Sequence, residues 1–304
     1  MKRNGFYANG RQRWFCHSCQ KSFHWSNKAN KQQRERIWFK KWMIEGYAVR
    51  QLSQQSHYSS AKLYRIVNFW LSSPPASDNS SLAKHRFLIF DGTFLHRPIS
   101  IATLMDALGH TIIHGQYGVS ENSEPQLLTF FKPFKERHLC PKSCTIDGNP
   151  QVIRVLKKLW PKIIIQRCLV HIQRQGLMWC RRNPKRTEAK RLRNIFLQVS
   201  NIRTSRDKNC FLKQASLWEQ QYGKKIKEQP ETGKVFSDIK RARSMLLKAL
   251  PNMFHYLDNP HIPATTNGLE GYFSRLKAHY RNHRGLQRAK RNNYFNWYFY
   301  LRQR

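Results

Sequence analysis

Two short apolar runs, each closing on Asp-Gly, constrain this chain more than any other feature. The first is His85-Arg-Phe-Leu-Ile-Phe-Asp91-Gly92 and the second Ser143-Cys-Thr-Ile-Asp147-Gly148. Apolar runs this short, stopped by glycine, are buried strands rather than helices. Two acids at strand ends can meet in space. A carboxylate buried there without a partner costs several kcal/mol, and a cation such as Mg²⁺ is the usual remedy. The glycine after each acid permits close backbone approach by a ligand. A blander reading stays open, since Asp-Gly is also an ordinary turn dipeptide after a strand.

The flanking pattern is that of an α/β domain. Ser100 to Leu108 and Thr111 to Gly118 continue the first run as a meander, and Glu124 to Arg137 is a helix. A helix from Gln151 to Leu159 stops at Trp160-Pro161, and Ile163-Ile-Ile165 is a further buried strand. Meander, helix, strand, helix, strand is the order of elements in an RNase H-like domain, expected here over 85–304. From His171 to about Leu257 the signal is helical and polar, with basic clusters such as Arg181-Arg-Asn-Pro-Lys-Arg186. A helical insertion over about 172–262 follows.

Upstream, the polar, proline-containing run from Ser72 to Ser81 is a linker, bounded as 73–84. Before it, apolar residues recur at helical steps from Lys31 to Leu71, broken once by Gly46. Val49 to Phe69 looks like a helix-turn-helix inside a 29–72 domain, with Lys62 and Arg65 outward toward DNA. An ordinary pair of packed helices fits equally. The segment 1–28 carries Cys16 and Cys19 as a CxxC knuckle among aromatic and basic residues, similar to the second half of a zinc ribbon. Tetrahedral zinc wants four ligands, and no second pair precedes Cys16. Either the ribbon is truncated, or His17 and His24 complete the site, or no Zn²⁺ binds.

Composition sets the partner. Lys and Arg number 55 against 17 Asp and Glu, a formal charge of +38, which draws polyanions at long range. A hydrophobic content of 40% and an aromatic content of 13% separate the chain from basic disordered tails. Nothing approaches the ~20 apolar residues that span a bilayer, and no signal peptide is evident, so the expected place is the cytoplasm, at the nucleoid. Seven cysteines, an odd number, argue for reduced thiols or metal rather than a disulfide framework.

Because acids are scarce, each one set among apolar residues or glycine stands out: Asp91, Asp106, Asp147 and Glu270. Glu270 lies in Thr265-Thr-Asn-Gly-Leu-Glu270-Gly-Tyr-Phe-Ser-Arg-Leu-Lys277, where Thr or Asn can cap a helix beginning near Gly268. On that helix Glu270, Ser274, Lys277 and Arg281 share a face, placing an acid beside cations that hold phosphate. A surface stripe of mixed charge is the alternative. Gln166-Arg-Cys168-Leu-Val-His171 resembles half a zinc site, with Cys180 as a conceivable further ligand. A neutral Cys168 with His171 as hydrogen-bond donor near the carboxylates is the better functional reading, and a buried Cys with a helix-start His the plainer one.

As a set, Phe90-Asp91-Gly92-Thr93, Thr145-Ile-Asp147-Gly148, Gln166-Arg-Cys168-Leu-Val-His171 and Thr266-Asn-Gly-Leu-Glu270 resemble the mutator-type insertion-sequence transposases of bacteria, DDE enzymes on an RNase H-like fold. The resemblance implies that Asp91, Asp147 and Glu270 form the metal-binding triad, with Cys168 and His171 in support. It implies an insertion between the second Asp and the Glu, which stand 123 positions apart against 56 for the two aspartates. Two Mg²⁺ ions about 3.5–4 Å apart are implied, with Mn²⁺ as the alternative, acting in hydrolysis at element ends and transfer of the 3′-hydroxyl to target DNA. Lys277, Arg281 and Arg284, with Arg288, Lys290 and Arg291, would follow double-stranded DNA, while Tyr294, Trp297 and Tyr298 pack. Synapsis of two ends makes a homodimer the expected minimum. A DNA-binding regulator without catalysis and an RNase H-like nuclease without strand transfer are the rival readings. The incomplete ribbon is read as an N-terminal truncation.

Overall fold

The polar run after Leu71 falls at the junction of two compact units, Met1–Ser73 and Pro74–Arg304. The computed structural model describes every residue except 26–27, 77–78, 98, 229–233, 284 and 303–304.

In the first unit, β1 (Lys2–Phe6), β2 (Gln12–Phe15) and β3 (Ser22–Phe23) make a small antiparallel sheet. Cys16 and Cys19 occupy the β2–β3 turn, closed by Cys16 N–H donating to the Lys21 carbonyl at 3.0 Å. β1 has no counterpart in the sequence reading, because its side chains are mostly exposed and leave no apolar alternation. Helix α1 (Lys28–Lys40) continues as a π-helical turn, Lys41–Glu45, and ends at Gly46 in the left-handed region, φ 72°. α2 (Val49–Ser56) begins where Gln51 Oε1 accepts from Ala48 N–H at 2.9 Å. α3 (Ser60–Leu71) begins where Ser59 Oγ accepts from Lys62 N–H at 3.3 Å. The helices bury Phe39, Met43, Leu52, Leu63, Ile66 and Val67 between them, and Phe39 stacks on Trp70 at 5.8 Å. Arg65 and Tyr64 stay exposed on α3, and the Lys62 ammonium sits 3.3 Å from the Tyr58 ring centre.

The second unit is mixed α/β. Its strands are β4 (Phe87–His96), β5 (Ile99–Asp106), β6 (Thr111–Tyr117), β7 (Ser143–Ile146) and β8 (Ile164–Arg167). They form one sheet in the order β6-β5-β4-β7-β8. The β4-β5-β6 meander is antiparallel, while β7 and β8 run parallel to β4. Period-two alternation sends Leu88, Phe90, Cys144 and Ile146 to one face, against α4 (Glu124–Glu136) and α5 (Pro150–Leu159). Ile89, Asp91 and Thr145 therefore face the other way.

Two strand boundaries differ from the sequence reading. β4 runs through Asp91 to His96, because β5 keeps pairing with it to Phe94 and beyond after β7 has let go at Ile89. β8 starts at Ile164, since Ile163 N–H turns back to the Trp160 carbonyl, and this carries Gln166 and Arg167 into the sheet.

Helices α6 (Leu169–Cys180), α7 (Thr187–Gln198), α8 (Ser205–Glu228), α9 (Lys234–Ala249) and α10 (His255–Asp258) build a separate core around Leu192, Phe196, Phe211, Trp218 and Leu246. The chain then returns to the sheet through α11 (Asn267–Arg281) and α12 (Arg288–Arg302). α12 buries Tyr294, Trp297 and Tyr298, and its Phe295 stacks on Tyr117 of β6 at 4.8 Å. No described helix is long and apolar enough to cross a membrane.

Candidate active site

Strand register brings the two aspartates side by side. Phe87 pairs with Ser143 across β4 and β7, an offset of 56 (143 − 87) that is also the spacing of Asp91 and Asp147 (147 − 91). The pairing ends at Ile89 and Thr145, so both aspartates lie two positions beyond the last pair, close enough for the Asp147 charge to act on Asp91. Ile146 pairs with Arg167 in β8, which puts Cys168 one position beyond that pair. These residues sit where the parallel strands β7 and β8 end, the end at which α/β sheets open a crevice for ligands.

Asp91 is buried, and burial pushes its carboxyl up to about 6. The His171 charge opposes that rise and the Asp147 charge adds to it, while the Gly92 N–H, at 2.8 Å, and Thr266 favour the ionised form. Asp147, half-buried, accepts from Asn149 N–H at 2.9 Å through Oδ1, and Asn149 in turn caps α5.

Thr266 is the hub, fully buried. Its hydroxyl lies 3.1 Å from Asp91 Oδ2, 3.5 Å from Cys168 Sγ and 3.4 Å from His171 Nδ1, and its N–H donates to Cys168 Sγ at 3.3 Å. A hydroxyl has one proton and two lone pairs, so it can donate to Asp91 while accepting from a protonated His171 Nδ1. The sequence reading gave this Thr-Thr-Asn stretch to helix capping. Thr266 does hold the N-cap position of α11, but its side chain makes no cap bond; its hydroxyl is turned to Asp91, Cys168 and His171 instead. Backbone ties fix the segment over the strand ends: Thr145 Oγ1 donates to the Pro263 carbonyl at 2.7 Å and Leu169 N–H to the Ala264 carbonyl at 3.0 Å. The Cys168 thiol is pushed up by burial, but the His171 hydrogen bond and charge outweigh this and hold it below its ordinary value. That hydrogen bond in turn raises His171.

Glu270 stands one turn into α11 and faces α6. Its Oε1 lies 3.4 Å from Arg174 Nη1 and 4.0 Å from His171 Nε2. It shares His171 with Asp91 but does not join the aspartates in this arrangement. Among the described residues no three acid, imidazole or thiol groups are grouped closely enough to hold a metal ion as they stand.

The two glycines have a use the sequence did not disclose. A Cβ on Gly92 would fall 1.7 Å from Glu121 Oε1, and one on Gly148, where φ is +99°, would fall 1.9 Å from Arg167 Cζ and Nε. Each Asp-Gly thus makes room for a charged side chain. Glu121 follows β6 in Ser120-Glu121-Asn122, and its carboxyl is pushed up to about 8 by burial first, then by the charges of Asp147 and Asp91. Scrutiny of acids beside strand residues or glycine passes over it. The scarcity of acids was the only signal that could have found it.

The remaining candidates lie apart from these residues. Lys277 is half-exposed and Arg281 exposed on α11, opposite its buried Leu269, Tyr272, Phe273 and Leu276. Arg284 lies outside the described residues. Asp106 pairs with Leu88 at the other end of β4, where it accepts from Gly109 N–H at 2.6 Å and meets His85 at 3.2 Å. Cys180 is buried in the helical core, its thiol pushed up to about 12. In the first unit His17 lies edge-on to Phe15, and His24 against Tyr7 and Arg11. A cavity of about 420 Å³ between β6, α4 and α12, lined by residues such as His114, Arg137 and Asn296, includes none of the site residues.

The model of the Mutator family of transposases matches residues 87–240, from β4 into α9, just over half of the chain. The matched stretch holds Asp91, Glu121, Asp147, Arg167, Cys168 and His171, and stops short of Glu270. The chain belongs to the Mutator family of transposases, enzymes that act on DNA. Within it, the chain is a mutator-type insertion-sequence transposase. No curated protein matches it.

Proposed function

We propose that this transposase cuts DNA at the ends of its element and joins the freed 3′ end to target DNA, at a carboxylate site of Asp91, Asp147 and Glu270 that holds divalent cations. One observation carries the reading: Asp91 on β4 and Asp147 just after β7 each lie two positions beyond the last β4–β7 pair and act on one another's charge, with burial holding Asp91 at about 6 and Glu121 beside them at about 8. Such crowded, buried oxygen donors suit a hard divalent cation, Mg²⁺ or Mn²⁺. Asp91 and Asp147 would hold it. Glu270 joins once its carboxylate leaves Arg174, and that ion pair, with both partners over a third exposed, is weak. A cation bound there supplies activation of the attacking oxygen and stabilisation of the leaving one.

The chain's own residues do the rest. Thr266 orients Asp91 and links it to Cys168 and His171, so that the C-x-x-H pair supports the site without acting as nucleophile. Lys277 and Arg281, on the face of α11 that carries Glu270, hold DNA phosphates, and the charge of +38 draws the duplex in. The meander followed by two parallel crossover strands supports an RNase H-like core over 85–304, with the helices from α6 to α10 as its insertion. α2 and α3 serve as a helix-turn-helix, with Lys62 and Arg65 toward DNA. Two chains act together to hold two ends. Zinc fits poorly at Cys16 and Cys19: it needs four donors, and among the described residues no three cysteine, histidine or acid groups there lie close enough to share an ion.

A joining assay tests the reading. Pre-cleaved duplexes carrying the element's terminal repeat are incubated with a target plasmid and Mg²⁺. The wild type should join them, and Asp91→Asn, Asp147→Asn and Glu270→Gln should each lose at least about a hundredfold in rate while still binding the duplex. Undiminished joining by these variants would refute the triad, and cleavage without joining would make the protein a nuclease.

A further inference from the structure

Arg167 has no role in the site so far described, yet it is built into it. It ends β8, opposite Ile146, and is only 8% exposed. Its guanidinium lies on Gly148, directly after Asp147, in a seat that any Cβ would fill. A buried cation is costly unless an anion or hydrogen bonds compensate it. Arg167 Nε has no hydrogen-bond partner, and among the described residues no carboxylate forms an ion pair with the guanidinium. Asp147, the carboxylate whose charge acts on it, spends Oδ1 on the Asn149 N–H. Burial lowers the affinity of Arg167 for its proton, and the charges of Asp147 and Cys168 oppose that change. The guanidinium stays a cation, since nothing in a protein deprotonates it readily.

Asp147 and Cys168 are both already placed, so the chain itself does not supply the group this fork is shaped for. A guanidinium recognises a planar or tetrahedral oxyanion through paired N–H donors, phosphate above all. We propose that Arg167 binds the scissile phosphodiester of DNA, gripping a non-bridging oxygen beside Asp147, and that Gly148 is glycine in order to seat it. This rests on the carboxylate site proposed above. The position also fits the extension of strand β8 past the apolar isoleucines to Arg167: the last paired residue of the strand is the one whose backbone is held while its guanidinium lies against Gly148, next to Asp147 in the chain.

The test pairs a protein change with a DNA change. Duplexes carrying the terminal repeat are made with either a normal phosphate or a neutral methylphosphonate at the cleavage position, and binding is read by fluorescence anisotropy with Ca²⁺ in place of Mg²⁺. A hydrogen-bonded charge pair predicts that the wild type prefers the charged duplex about tenfold, and that Arg167→Gln prefers it less than about twofold. A methylphosphonate well inside the repeat should weaken wild type and variant alike. Should Arg167→Gln fail to fold, Arg167→Lys, which keeps the charge and loses the fork, should show about a threefold preference. An undiminished preference in whichever variant folds overturns the role of Arg167 and leaves the carboxylate site standing. No preference in the wild type overturns the carboxylate site itself, and Arg167 with it.

Discussion

Asp91 and Glu121 are held as acids too weak for their surroundings, and this has a consequence for stability. Their folded values, about 6 and about 8, lie above those of free carboxyls, so the folded chain keeps protons that the unfolded chain gives up. The stability they contribute is full below about pH 4 and is lost as pH rises through about 6 for Asp91 and about 8 for Glu121. For Asp91 the loss is on the order of 3 kcal/mol. In metal-free buffer the unfolding midpoint should therefore fall between about pH 5 and 8, and Asp91→Asn should flatten that fall and raise the midpoint at the alkaline end. Equal pH dependence in the variant and the wild type would contradict the uncompensated charge at Asp91. At this scale Asp91 and Asp147 were legible as candidates, because an apolar run closing on Asp-Gly is a local signal. Glu121, Arg167 and Thr266 stayed hidden because their roles depend on contacts across the fold: Glu121 over Gly92, Arg167 over Gly148, and Thr266 bridging 175 positions to Asp91.

Among the elements, α6 matters most to the site, since it carries His171 and Arg174 on one face and packs on α7 with the other. Gly176 makes that packing possible: a Cβ there would fall 2.3 Å from the Phe196 ring. Gly176→Ala should push α6 off α7 and cost about 1–3 kcal/mol, read as a lower denaturant midpoint. It should also slow joining, as His171 and Arg174 move relative to Thr266 and Glu270. A variant as stable as the wild type would show that α6 is not held at this crossing. The order of strands and helices was legible from periodicity, yet boundaries slipped wherever pairing or turns overrode it. β4 continues past Asp91 because β5 remains its partner, and β1 escaped notice because an exposed strand has no apolar alternation. The π-turn after α1 has no sequence signal except the glycine that ends it.

For the molecule as a whole, a charge of +38 suits a transposase that acts on DNA, and under the proposed function the chemistry is confined to one end of the sheet, beside Asp91 and Asp147. The charge was plain from composition, whereas the distance between Glu270 and the aspartates was not, because it depends on which partner Glu270 takes on α6. The most direct measurement of the central claim asks whether Asp91 touches the cation. Mg²⁺ demands oxygen donors, while a thiolate suits softer ions. Cleavage of terminal-repeat DNA is followed with wild type and Asp91→Cys in Mg²⁺ and then in Mn²⁺. The carboxylate site predicts that Asp91→Cys is inactive in Mg²⁺ and recovers at least about tenfold in Mn²⁺, with the wild type similar in both. Wild-type cleavage by Asp91→Cys in Mg²⁺ would contradict it.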